Sequence, residues 1–211
     1  LIENKKNLKI NDLINNSLSL YQDQGYNFEN QNLNKELYNF LKERFKYYMK
    51  EKQIRFDIID ATIFSFSTNY FFSSFEKAKS LNKIINDQVG QDIISSYKRA
   101  SNILDYEMQD NEVEISFTTD PGIFKNDFEK NLYNKINELK QYFSVMTKNQ
   151  KFDDTLALLA TAKNEVFNFF DNVKVNDDSE AVKKNRLELL NFFCKTYENY
   201  IDFQLIKDIN E

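Results

Sequence analysis

The fold class is decided by the segment 33-LNKELYNFLKERFKYYMKE-51. Its apolar side chains recur every three or four residues, a spacing that is typical of a helix with one buried stripe. This stripe consists of Leu33, Leu37, Phe40, Leu41, Phe45 and Tyr48. Equivalent stripes occupy residues 93–104, 128–143, 152–170 and 182–197, with shorter helical segments at 8–21, 57–64 and 68–87. We therefore predict an all-α fold, a multi-helix bundle.

Composition excludes several classes of protein. Of the 211 residues, 41% are hydrophobic and 15% aromatic, which is enough for a sizeable core and excludes a disordered tail. The chain has no His, one Cys and three Gly. These numbers exclude His-dependent nucleophile systems, the usual zinc sites, a disulfide framework and a glycine-rich phosphate loop. We expect no catalytic residues and no metal, and the lone Cys194, read as a small semi-buried hydrophobe, favours a cytoplasmic location.

Charge is distributed unevenly along a chain whose net charge is −5. Residues 105–120 hold six acids and no base, and they end in the turn signal Asp120-Pro121-Gly122. We predict a solvated acidic loop near 105–122, with a short strand or extended arm at 113–117, because the acid spacing matches no EF-hand loop. Residues 42–55 are basic instead. A local basic face of this kind either docks one RNA or is simply a solvated helix surface.

One polar helix face and two arginines carry the remaining signals. At about 100° per residue, Ser95, Lys98, Arg99 and Asn102 share the face opposite an apolar stripe, which suits contacts to phosphates and base edges. Arg44 and Arg186 instead fall at the centre of apolar stripes. A guanidinium on an apolar face needs a partner, so both are predicted to form structural ion pairs.

Six segments, taken in order, resemble motifs of one family, the bacterial glycyl-tRNA synthetase β subunit. They are 37-LYNFLKER-44, 55-RFDIIDA-61, 97-YKRASNIL-104, 169-FFDNVKV-175, 180-EAVKKNRLELL-190 and 201-IDF-203. The sequence departs from the family pattern at 162–165, at Phe167 and at 199–200, where an Arg-Val pair is replaced by Asn-Tyr. The resemblance implies the C-terminal anticodon-binding (DALR-like) domain of that chain, an all-α bundle similar to the anticodon domain of arginyl-tRNA synthetase.

The resemblance also implies a domain division and partners. Residues 1–30 would be the tail of a preceding domain and a leading helix, and 31–211 the anticodon-binding domain; the missing start methionine likewise indicates part of a longer chain. The expected partners are tRNA(Gly), whose anticodon ends in two cytosines, the rest of the β subunit and the α subunit of an α2β2 tetramer. ATP and glycine would be used by the whole enzyme, leaving no cofactor in this domain, and neither DNA nor a membrane is expected as a partner. The tRNA-binding candidates on matching positions are Lys98, Arg99, Asn102, Arg55 and Asn185.

The sequence leaves three functions to be distinguished. An RNA-binding module that orients the tRNA is favoured by the Lys98 and Arg99 face. A helical scaffold that docks other β-chain domains or the α subunit, with no RNA affinity of its own, is favoured by the acidic net charge. A free-standing enzyme is disfavoured, because it would need chemistry without His or a recognisable carboxylate pair.

Overall fold

The chain folds into a helical bundle, as a computed structural model describes for residues 1–64, 69–111 and 118–207. Its helices are α1 (Ile10–Asp23), α2 (Leu33–Glu51), α3 (Phe56–Phe64), α4 (Phe71–Ile84), α5 (Gln88–Asn111), α6 (Asp127–Lys148), α7 (Phe152–Ala160), α8 (Lys163–Asn172) and α9 (Glu180–Glu198). Two short 3₁₀ turns, Pro121–Ile123 and Phe203–Leu205, follow the acidic segment and α9. The predicted all-α fold is confirmed. No described helix is both long and apolar enough to cross a membrane.

The long helices α5 and α9 form the centre of the bundle, and α6, α7 and α8 pack around them. Tyr97 of α5, Tyr197 of α9 and Phe203 meet in one aromatic cluster, with ring centroids 5.7 to 6.4 Å apart. The Tyr197 hydroxyl donates a 2.6 Å hydrogen bond to the carbonyl of Leu159, and Tyr97 donates to Glu198 at 3.1 Å. The buried phenols therefore keep hydrogen-bond partners while their rings supply apolar packing.

Helix α1 belongs to the same hydrophobic core as the rest of the bundle. Its Ile10 and Ile14 are buried in that core, and α1 packs on α2. The start of α1 is fixed by Asn69, which accepts hydrogen bonds from the backbone N–H groups of Ile10 and Asn11 at 3.0 and 3.1 Å. The division of the chain near residue 30 stays a prediction.

The acidic segment differs from the prediction at its beginning. Helix α5 continues to Asn111, so residues 105–111 are helical and do not form a loop. Glu107 is buried, and its carboxylate pairs with Lys183 of α9 at 2.7 Å, which joins the end of α5 to the start of α9. The strand predicted at 113–117 lies outside the described residues. Asp120 accepts a 2.8 Å hydrogen bond from the N–H of Gly122 and so caps the first 3₁₀ turn.

Candidate nucleic-acid interface

The polar face of α5 points away from the core. Ser95 and Asn102 are exposed, and Lys98 and Arg99 are partly exposed. The opposite face is buried in the core and carries Ile93, Ile94, Tyr97, Ala100 and Leu104. This arrangement follows from the helical period, which places residues three and four apart on the same side.

Arg99 reaches from α5 to α8. Its guanidinium carbon lies 4.6 Å from the ring centroid of Phe170 and 5.6 Å from that of Phe167. One of its terminal nitrogens lies 3.5 Å from a carboxylate oxygen of Asp171, and 40% of the side chain stays exposed. Stacking on rings holds a guanidinium in place without using its edge donors. Arg99 is therefore oriented by α8 and still able to donate to a phosphate.

A second cation, Lys163, lies against the same Phe167 ring as Arg99. Lys163 of α8 pairs with Asp92 of α5 at 2.8 Å, and its ammonium also lies 5.9 Å from the Phe167 ring centroid. Partial burial raises the pKa of Asp92, but the hydrogen bonds from Lys163 and Gln88 outweigh this and hold that pKa below its ordinary value. The ion pair thus fastens the start of α5 to α8 next to the candidate residues.

Tyr106 extends the polar face by one further turn. It follows Asn102 by four residues, and 62% of it is exposed. An exposed ring on the same helix face as cationic side chains is a platform on which an unpaired base can stack. Tyr106 is not among the residues predicted from the sequence, although its i+4 spacing from Asn102 is a usable signal. We call the patch made of Lys98, Arg99, Asn102, Tyr106 and Phe170 the α5–α8 surface.

Arg55 precedes α3, belongs to neither α5 nor α8, and makes contacts within the protein. Its guanidinium makes two hydrogen bonds to Asp57 and donates to the carbonyl of Lys207 at 2.9 Å. Burial raises the pKa of Asp57, but the hydrogen bonds from Arg55 and from the N–H of Lys207 lower that pKa by more than burial raises it. The net pKa of Asp57 is therefore below its ordinary value. Arg55 therefore joins the start of α3 to the end of the described chain.

Asn185 is buried between α9 and the turn at Asp120. Its side-chain amide donates to the carbonyl of Asp120 at 3.0 Å, and its oxygen accepts from the N–H of the same residue at 2.8 Å. Both polar groups of the side chain are thus used within the protein, and only 3% of the residue is exposed. Asn185 therefore fixes the backbone of the segment that leads into α6, and we call this pair of hydrogen bonds the Asn185 bracket.

Arg186 is the centre of a buried ion-pair network. Its guanidinium donates to Glu129 of α6, to Asp177 at 2.8 Å and to the carbonyl of Lys174 at 2.8 Å. Glu129 is 1% exposed, and its second oxygen accepts from the N–H groups of Lys125 and Asn126 at the start of α6. Arg186 therefore links α9 to α6 and to the segment that precedes α9.

Arg44 does not occupy the place that the sequence predicted. It is exposed on α2, and its guanidinium carbon lies 5.2 Å from the ring centroid of Phe40, which is itself 56% exposed. The buried side of α2 instead carries Phe45 and Met49. The sequence stripe left out Met49 and Tyr38, which belong to the core or pack against it, and this omission shifted the apparent centre of the stripe toward Arg44.

Neither a metal site nor a reactive thiol emerges from the described part of the chain. It contains no group of three or more Cys, Asp or Glu side chains placed to hold a metal ion. Cys194 is 2% exposed, and burial raises the pKa of its thiol well above the ordinary value. Because the thiolate is the nucleophilic form, Cys194 is a packing residue.

More than half of the chain matches a known protein family. Residues 93–207, which run from α5 to the end of the described chain, match the family described as "DALR anticodon binding domain". The chain is similar to the "Glycine--tRNA ligase beta subunit" of Rickettsia africae (strain ESF-5), with 32% identity over 205 residues. It is also similar to the protein of that name from Rickettsia bellii (strain OSU 85-389), with 33% identity over 204 residues.

Both alignments cover 96% of this chain and 28% of the relative. The chain therefore spans a little over a quarter of the length of the curated relatives that it matches. Within the matched region of residues 93–207 lie the whole α5–α8 surface, the Asn185 bracket and the Arg186 network. Because this match covers more than half of the sequence, the chain belongs to the DALR anticodon-binding domain family.

Proposed function

We propose that this chain is the anticodon-binding domain of a glycine–tRNA ligase β subunit and that it binds the anticodon arm of tRNA(Gly). The family match and the relatives' shared name support this assignment. In the whole enzyme the domain orients the tRNA, while ATP and glycine are used elsewhere. Its other partners are the rest of the β subunit and the α subunit of an α2β2 tetramer in the cytoplasm.

The α5–α8 surface offers the chemistry that single-stranded RNA requires. Lys98 and Arg99 bind phosphates, the amide of Asn102 donates to and accepts from a base edge, and the ring of Tyr106 stacks on a base. The observation that carries the proposal is the position of Arg99, which is stacked on Phe170 yet 40% exposed. A guanidinium fixed in this way loses little conformational freedom when it binds a phosphate.

The scaffold function is favoured by a different surface. On α2, Phe40 and Tyr47 are 56% and 62% exposed, and Arg44 lies against the Phe40 ring. These residues are spaced by four and three positions and form one exposed ridge along the helix. Contiguous exposed apolar patches mark protein–protein interaction sites when they are large. The ridge fits a contact with other domains of the ligase and is compatible with RNA binding elsewhere.

The test is a titration of the purified chain with the anticodon stem-loop of tRNA(Gly). A second stem-loop, in which the two anticodon cytosines are replaced, serves as the specificity control. The proposal predicts tighter binding of the native loop and an affinity that falls steeply as salt is raised, because phosphate contacts release counterions. Each lost base contact should cost about 1–3 kcal/mol.

A matched variant separates the two functions. Replacing Phe40 and Tyr47 together by Ser removes the α2 ridge and leaves the α5–α8 surface intact. The anticodon proposal predicts unchanged stem-loop affinity for this variant. Equal or absent binding of both stem-loops by the unaltered chain would contradict anticodon reading and leave the scaffold function as the better account.

A further inference from the structure

A second basic site lies between α4 and α6. This open cleft has a volume of about 600 Å³, and its described lining includes Lys77 of α4 together with Lys140 and Lys148 of α6. The other described lining residues are neutral, with amides, hydroxyls and one Phe ring, and none of them is a carboxylate. In a chain with net charge −5, a cleft lined by three lysines and no described acid is suited to an anion.

Lys77 lies at the inner wall of the cleft. Only 2% of the residue is exposed, and its ammonium donates to the carbonyls of Tyr200 at 3.0 Å and Asn199 at 3.4 Å, at the end of α9. Burial lowers the pKa of Lys77 to about 8. The ammonium is thus held by carbonyl dipoles, and an anion entering the cleft would further stabilise its charged form.

The two lysines of α6 face the cleft from one side of their helix. Lys140 and Lys148 are separated by eight residues, which is about 12 Å along the axis, and Ser144 lies between them on the same stripe. The Lys140 ammonium lies 5.3 Å from the ring centroid of Phe192, and Lys148 is exposed. This row of two cations with a hydroxyl between them matches an elongated anion better than a single small ion.

We propose that the cleft between α4 and α6 binds the phosphate backbone of an RNA strand through Lys140 and Lys148, with Lys77 and neighbouring amides and hydroxyls completing the site. Neutral donors beside lysines are the groups that commonly hold phosphate oxygens without reading sequence. None of the described lining residues lies on α5 or α8. The cleft would therefore contact the RNA at a place separate from the α5–α8 surface. It rests on the proposed function in that the same RNA, tRNA(Gly), is the ligand.

The experiment measures the affinity of the chain for whole tRNA(Gly) at several salt concentrations. Lys140→Gln, Lys148→Gln and the double variant are compared with Lys184→Gln, which changes an exposed lysine of α9 outside the cleft. Each cleft variant should reduce the slope of log affinity against log salt by about 0.7 to 0.9, and the control should leave it unchanged. Circular dichroism checks that every variant keeps its helical content.

Two further arms separate the cleft from anticodon reading and from a free-phosphate site. The cleft variants should keep the preference for the native anticodon loop, since they contact no base. If that preference is absent in the unaltered chain while the cleft variants still reduce the slope, anticodon reading fails and the cleft proposal stands. An unchanged salt slope for tRNA(Gly) binding in the double variant overturns the proposal. If inorganic phosphate nevertheless binds to the unaltered chain and not to the double variant, the cleft is a site for the free anion, and the proposal is overturned in that case too.

Discussion

Replacing Arg186 by Met tests whether this motif residue stabilises the fold through its buried ion pairs. Met keeps much of the side-chain volume and removes the guanidinium that holds Glu129 and Asp177. Glu129 is 1% exposed, so its carboxylate would remain buried without its cationic partner. Breaking a buried ion pair in this way costs about 3–5 kcal/mol, which is a large part of the 5–15 kcal/mol that stabilises a typical domain.

The assay is urea unfolding followed by circular dichroism, with Lys184→Met as the matched control. Lys184 lies two residues away on the same helix and is exposed, so its replacement should change the free energy of unfolding by less than about 0.5 kcal/mol. For Arg186→Met we expect a loss of about 3–5 kcal/mol. With a urea m-value of about 2 kcal/mol/M, the unfolding midpoint should fall by roughly 2 M.

A double variant then tests the cause of that loss. Adding Glu129→Gln to Arg186→Met removes the unpaired charge, while the Gln oxygen can still accept from the N–H groups of Lys125 and Asn126. The double variant should therefore lose less stability than the sum of the two single variants, with a coupling energy above about 1 kcal/mol. A loss below 1 kcal/mol for Arg186→Met, or strictly additive losses, would refute the buried-pair reasoning.

Three other substitutions have definite expected outcomes. Asn185→Ala should lower the free energy of unfolding by about 1–3 kcal/mol, measured in urea, because it leaves the backbone of Asp120 without two hydrogen bonds. Gly90→Ala should lower the thermal midpoint, since the new methyl group would overlap the carbonyl oxygen of Ile84. The pKa of Lys77 is lowered from 10.5 to about 8 on folding, so the unfolded chain binds more protons between these values. Unfolding measured at pH 7 and pH 10 should then show the unaltered chain gaining up to about 3 kcal/mol relative to Lys77→Met, and a pH-independent difference would contradict this burial.

The fold could be predicted because the local spacing of apolar residues determines which side of each helix is buried. The stripe at 182–197 becomes the buried side of α9, and that at 93–104 becomes the buried side of α5. The stripe at 152–170 comprises two helices, because the chain turns at Thr161, whose hydroxyl donates to the carbonyl of Leu158. A break of one turn leaves the three- and four-residue spacing almost unchanged, so periodicity alone does not reveal it.

The site residues could be predicted only in part, because their partners are distant in sequence. Spacing gave the outward direction of Asn102, but the stacking of Arg99 on Phe170 joins residues 71 positions apart. Arg55 and Asn185 carry the same polar groups as an RNA contact, and only the folded chain shows that they hydrogen-bond to Lys207 and Asp120, which lie 152 and 65 positions away.

The most direct test of the central claim alters the α5–α8 surface and measures binding of the tRNA(Gly) anticodon stem-loop. The variants are Lys98→Gln, Arg99→Ala and Asn102→Ala, with Lys184→Gln as the control on another helix. The account predicts weaker binding for the three surface variants and a smaller salt slope for Lys98→Gln and Arg99→Ala, which remove cations. It predicts a reduced preference for the native cytosines for Asn102→Ala, whose amide is the proposed base contact. Affinity, slope and preference that match the control in all three variants, with helical content intact, would contradict the claim that this surface binds the anticodon arm.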